Sequence, residues 1–386
     1  PPRSTLFPYT TLFRSGALNL VGTSYNLLIE GSSSALTFAA ATLTLGNNRT
    51  LTLSNGGNIT VSSGATHVAI GGTGTLIIAQ AGSVGAFGTA LETNVAIIRA
   101  AVTNGIYISE ANAVQLGDGG GGVVTSGGQI DISSGGALSF GNTVSTTGAG
   151  TVISLAAASG GITISQDIQA ANNAQINLST GGGGSISRPV AGTVGAAGST
   201  SLLVISSAGS IGASGAALAT NVGTIRASAG GDIYINEASA LQLGDASGPV
   251  TTSNGVVNIS AAGNLSSGVW AGGDIVSTTG GVGGITLVTT AGGTMGLSDT
   301  LASAEGGLVT LTNAGQLTLS ADILARGGLT QNGAGVVSMG LTVTTTGDAV
   351  NFLRAVTLTG ACVIDTTDSG GSRSEERRVG KECRSR

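Results

Sequence analysis

Glu110 and Asp118 stand eight positions apart, and Glu237 and Asp245 repeat that spacing further along the chain. Two carboxyl groups held about 5–10 Å apart are the equipment of a glycoside hydrolase, one as acid and the other as nucleophile or base. The plainer reading makes them turn acids, since Asp118 and Asp245 both follow Leu-Gly and open loops rich in Gly and Ser. Duplication favours that reading, because one cleft needs one set of catalytic groups. Arg99 and Arg226 are matched in the same way, each in an Ile-Arg-Ala context, and are of the type that serves a lyase as base or charge clamp. No acidic cluster lies near either in sequence, so a surface position that offsets the acidic excess is expected.

The remaining chemistry-bearing residues are sparse. Tyr107 and Tyr234 alternate with apolar isoleucines and should point outward, where two rings alone make a thin platform for a sugar. His67 is the only histidine, so neither a histidine-based triad with a spare ligand nor an HExxH zinc pair exists. Trp270, the only tryptophan, stands in a Gly-rich segment and reads as a loop or edge plug. The runs at 117–122 (GDGGGG) and 179–185 (STGGGGS) lack the following Lys-Ser/Thr and helix of a phosphate loop. Cys362 is the only cysteine between residues 16 and 372, which leaves no disulfide or cysteine metal site there. No catalytic, cofactor-binding or metal-binding residue is assigned, and no enzymatic activity and no cofactor are expected.

Charge narrows the partners. The body, 16–372, has no lysine, six arginines and sixteen carboxylates, a net of −10 against −5 for the whole chain. Binding to a polyanion needs clustered Lys and Arg, so nucleic acid is not expected as a partner on this composition. The two ends differ from the body. Residues 1–15 hold three of the five prolines, and 373–386 hold six of the fourteen basic residues, including Lys381. Both resemble translated adapter sequence of the kind appended to environmental gene fragments, and both are set aside as a non-native head and a non-native basic tail. The chain does not open on Met and shows no leader pattern, so the natural start is expected upstream. No uncharged run reaches the ~18 apolar residues of a spanning helix.

What must position these residues is written in the repeat. Residues 81–118 lie on 208–245 without a gap and share 24 of 38 positions. The copied block covers about 76–139 and 203–266. Gly is 68 of 386 residues, far above the usual ~7%. Charged residues are 9%, yet 41% of the chain is apolar, which separates it from a disordered Gly/Ser linker. Between 43 and 79, alternating apolar pairs begin at Leu43, Leu51, Ile59, Val68 and Leu76, separated by Gly, Asn and Ser. Each pair is the period-two mark of a short, half-buried strand. Strands of about three residues are too short for a sandwich, whose strands run to ~5–6. Three such strands give a coil of roughly 24 residues, stacked so that each coil contacts only its neighbours. The expected fold is all-β, a parallel β-helix (β-solenoid) of about 14–15 coils over 16–372, with the duplicated block about five coils deep.

Segments such as GGDIYINEASALQLGD (230–245), GLVTLTNAGQLTLSADILARGG (307–328) and LTVTTTGDAVNFLRAVTLTGACVIDT (341–366) resemble repeats of filamentous-haemagglutinin-like adhesins and related autotransporter-type surface proteins. The resemblance implies a right-handed parallel β-helix stalk, secreted or displayed on the outer surface of a Gram-negative-type bacterium. It also implies an outer-membrane secretion partner, and host-cell or matrix glycans or proteins bound through other parts of a larger protein. It carries no functional residue over. A polysaccharide lyase or hydrolase on the same fold is the alternative, distinguished by acids from adjacent coils converging on one face.

Overall fold

A computed structural model describes residues 18–20, 26–31, 33–38, 42–62, 66–190, 192–196 and 201–367. The head, 1–15, and the basic tail, 373–386, lie outside the described residues. Among the described residues every regular element is a strand, most of them three to six residues long, and no helix occurs. The chain divides into two compact units, Pro1–Ala197 and Gly198–Arg386, each built of parallel coils; together they make about 14 turns of β-solenoid.

The coil follows from the spacing of the apolar pairs. In the first unit, Leu18, Leu43, Val68 and Thr93 stack in successive coils at a constant step along the chain. Leu51 stacks on Leu76, and Ile59 on Val84. Leu43, Leu51 and Ile59 therefore mark three successive strands of a single turn. Along most strands burial alternates, as in Leu36–Phe38, where Leu36 and Phe38 are buried and Thr37 is not. The inward side chains form columns, for example Ile108–Ile132–Leu155–Leu178. In the second unit a matching column runs Leu218–Ile235–Ile259–Leu287–Leu311. Stacking satisfies the ladder hydrogen bonds of one coil with the next, so the narrow apolar interior holds few unpaired main-chain groups.

Gly is abundant because the corners stack as closely as the strands. A Cβ at Gly184 would run into the carbonyl oxygen of Gly160, one coil away. Buried hydroxyls complete the corners. Thr180 and Thr289 occupy the last inward position of their strands and donate to the carbonyls of Gly184 (2.6 Å) and Gly293 (2.8 Å). Each hydroxyl is thereby satisfied inside the coil, and the Gly293 carbonyl accepts from Gly315 N of the next coil as well (2.8 Å).

The duplicated block carries a specialised coil. Strand Ile97–Val102 pairs first with Val114–Leu116 and then, beyond a break, with Val123–Thr125. Strand Thr224–Ala229 meets Leu241–Leu243 and Val250–Thr252 in the same way. One straight strand is thus overlaid by two that diverge around a loop, 117–122 in the first unit and 244–249 in the second. The step into this coil is shorter than the regular one, running only from Leu91 to Ile108 and from Leu218 to Ile235. Here the coil changes its outline, which gives the near-copies IYISEANAVQLGD and IYINEASALQLGD their structural content.

Candidate functional site

Glu110 and Glu237 do not sit on the surface. Each ends a strand whose inward positions are isoleucines, and the alternation of side chains from face to face carries the carboxylate into the coil. Glu110 is 2% exposed and Glu237 is 0% exposed. Oε2 of Glu110 accepts from Thr93 Oγ1 (2.7 Å) and Val95 N (2.9 Å), both on the preceding coil. Oε1 accepts from Asn112 N (3.1 Å) in the turn that follows. Glu237 repeats the arrangement with Thr220 Oγ1 (2.8 Å), Val222 N (3.1 Å) and Ser239 N (3.0 Å), and adds Ser239 Oγ (2.7 Å). Each glutamate clamps the corner of one coil to the corner of the next. Burial raises the Glu110 carboxyl above its ordinary value, against the opposing pull of its hydrogen bonds. The grouping of both residues with turn acids is corrected here. Position parity with Ile108 and Ile235 is the signal that places them inside.

Asp118 and Asp245 are turn residues. The Asp118 carboxylate accepts from Gly120 N (2.7 Å), and that of Asp245 from Ser247 N (2.7 Å). Each also meets an arginine. Arg99 Nε lies 3.4 Å from Asp118 Oδ1, and Arg226 Nε lies 3.2 Å from Asp245 Oδ2. Neither contact has hydrogen-bond alignment at Nε, so each is a Coulombic pair at a partly exposed corner. Arg99 stands at the break in its overlying strands, between Ile98, paired to Leu116, and Ala100, paired to Val123. Its Nη2 donates to Gly120 O at 2.5 Å, so the guanidinium fills the opening that the loop creates. Sequence distance hides the partner Asp118, which is nineteen positions from Arg99. The equal Arg-to-Asp spacing in the two copies is the mark that could have revealed it.

Tyr107 and Tyr234 occupy outward positions and are half-buried, with Tyr107 beside Asp131 on the next coil. Desolvation raises the Asp131 carboxyl. His67 is buried and fully engaged: Glu92 N donates to Nδ1 (3.1 Å), and Nε2 donates to Ser62 O (2.8 Å), with Phe38 edge-on at 6.4 Å. The accepting Nδ1 fixes the tautomer with the proton on Nε2. Both Gly-rich runs are corners.

A second cluster is assembled by the second unit. Trp270 lies in loop 268–275, between strands Leu265–Ser267 and Val276–Thr278. Its main-chain N–H donates to Asp299 Oδ2 (2.6 Å) on the following coil, and Asp299 Oδ1 accepts from Thr300 N (2.8 Å). The indole ring lies over Gly272 of its own loop. Asp274 is next to Asp299 across the coil step, because Val276 pairs with Leu301. Burial raises the Asp274 carboxyl, the charge of Asp299 raises it further, and the Arg326 guanidinium acts in the opposite direction. Asp274 makes no hydrogen bond to another described residue.

Among the described residues no group of three or more His, Cys, Asp or Glu is placed to hold a metal ion. No helix among them is long and apolar enough to cross a membrane. No protein-family model, no curated protein and no solved structure matches the chain. The fold and the side-chain geometry therefore carry the functional reading alone.

Proposed function

We propose that the chain is a structural stalk segment of a large secreted bacterial surface adhesin, which holds more distal binding regions away from the cell. The observation that supports this reading is the use made of its polar residues. The duplicated carboxylates, His67 and the corner hydroxyls bond coil to coil or close turns, and Glu110, Glu237 and His67 have no open face toward a substrate. Such a segment works by length and rigidity, turns over no substrate and needs no cofactor. On this reading it is exported through an outer-membrane partner and stands on, or is shed from, the outer surface. An antiserum raised against the chain should label the surface or medium of cells that carry the gene. Labelling confined to the cytosol would overturn the proposal.

One observation favours a second reading, a carbohydrate-active β-helix enzyme. Asp274 and Asp299 come from adjacent coils and meet on one face, with Arg326 acting on Asp274. Incubating the full chain with pectin, chitin and peptidoglycan and assaying released ends separates the two. The stalk reading requires none, whereas turnover abolished by Asp274→Asn would establish the enzyme.

A further inference from the structure

We propose that loop 268–275 and the adjoining outer face of the second unit bind a neutral saccharide, with Trp270 as the stacking platform and Asp274 as the hydroxyl acceptor. This inference rests on neither functional reading above.

The loop lengthens a corner that the preceding coil turns in six residues, 244–249. It spends eight residues on a corner that the next two coils turn in three, 298–300 and 320–322. The extra length carries the only tryptophan of the chain and leaves Val269 exposed beside it. Asp299 holds the loop backbone in place through the main-chain N–H of Trp270, and the indole ring packs against Gly272 of the same loop. A pre-positioned aromatic loses little freedom on binding, which is where weak carbohydrate contacts gain most.

The outer face beside the loop carries small side chains. Ser277 and Ala302 alternate with inward residues of strands Val276–Thr278 and Leu301–Ala302, so they face outward, yet they are only 7% and 6% exposed. Ser277 follows the Trp270 loop along the chain and pairs with Ala302, and Leu324, two residues before Arg326, pairs with Ala302 in turn. The groups around this face supply both halves of a hydroxyl's hydrogen bonding, with Arg326 acting on Asp274. The Trp270 indole N–H and the Arg326 guanidinium donate only, and the Asp274 carboxylate accepts. Vicinal sugar hydroxyls need donors and acceptors side by side, and the C–H face of a pyranose suits the flat indole. A purely cationic ligand would leave the guanidinium opposed, and a polyanionic chain would meet the two carboxylates.

Asp274 also has no structural duty to explain it. Other corner aspartates accept from main-chain donors, as Asp322 does from Thr342 N (2.8 Å) and Asp167 from Thr193 N (2.9 Å). Asp274, alone among these four with Asp299, accepts none.

The single tryptophan makes the site its own reporter. Titrating the full chain with chitotetraose and with cellotetraose should give a saturable change in tryptophan emission with at least one of them. By calorimetry, Trp270→Ala should abolish the interaction. Asp274→Asn, which leaves the loop anchor at Asp299 intact, should weaken it about fivefold, the equivalent of one hydrogen bond of ~1 kcal/mol. Tyr234→Ala should leave it unchanged. The proposal is overturned if neither tetrasaccharide saturates the emission, or if binding survives Trp270→Ala undiminished. It is equally overturned if only polygalacturonate or tetramethylammonium binds. The outcome is independent of any released ends, so it stands or falls separately from the stalk.

Discussion

Removing the Glu237 carboxylate should destabilise the second unit without abolishing its fold, and the size of the loss distinguishes a clamp from a surface acid. Four donors converge on this side chain. The hydroxyls of Thr220 and Ser239 can rotate to other acceptors, but the main-chain N–H groups of Val222 and Ser239 cannot. A stranded buried donor costs about 1–3 kcal/mol. Glu237→Ala strands both and leaves a small void, so the loss should be about 3–5 kcal/mol after partial relaxation. Glu237→Gln keeps one acceptor oxygen and turns an amide toward the other pair, stranding one donor, for about 1–3 kcal/mol. Urea unfolding followed by circular dichroism gives the order wild type, Gln, Ala. Hydrogen exchange at Val222 and Ser239 reads the site itself, which matters because two compact units need not unfold in one step. An exposed turn acid would cost under ~0.5 kcal/mol. A Glu237→Ala variant inside that limit, with both amides still protected, refutes the clamp.

Ile235 is 1% exposed and stacks between Leu218 and Ile259, so Ile235→Ala should cost about 2–5 kcal/mol by the same unfolding measurement. The Arg99–Asp118 pair is partly exposed and poorly aligned; a double-mutant cycle with alanine should return a coupling of at most ~1 kcal/mol, decreasing with salt. Glu110 titrates above its ordinary value of 4.5 in the folded chain, so the native state binds its proton more tightly than the unfolded state. Its contribution is therefore greatest below the unfolded value and is lost as pH rises through the raised folded value. Comparing urea midpoints across that window, Glu110→Gln should flatten the slope; Asp131 and Asp274, raised in the same direction, should leave part of it.

The strands of this protein were legible because an interior only one side chain deep repeats its demand every coil. The pairs at Leu43, Leu51, Ile59, Val68 and Leu76 each begin or lie within an observed strand, and the third-neighbour stacking of Leu43 on Val68 is the three-strand coil expected from their spacing. The polar contacts were less legible, because they join residues one coil apart. Glu110 meets Thr93 and Val95 only because the fold stacks Ile108 on Leu91, a step shorter than the regular coil. Alternation alone would have placed Glu110 inward, but a carboxylate at an inward position is read as a surface acid unless its donors are known. Trp270 was rightly placed in a loop, yet its anchor, Asp299, lies across a coil of irregular length that no regular period indicates.

The stacking register is tested most directly by cysteine pairs in a Cys362→Ser, Cys383→Ser background. Thr286 and Thr310 face outward and lie side by side on adjacent coils, although 24 positions separate them in sequence. Adjacent parallel strands place such Cα atoms about 4.8 Å apart, within the span of a disulfide. Thr286 and Thr312 lie on the diagonal, roughly 8 Å apart by the same spacings and outside that span. Oxidation of the Thr286→Cys, Thr310→Cys chain should link the two positions rapidly and within one molecule, as read by peptide mapping. The Thr286→Cys, Thr312→Cys chain should remain reduced. Equal linking in both, or preference for the diagonal pair, would contradict the parallel, in-register coil on which everything above depends.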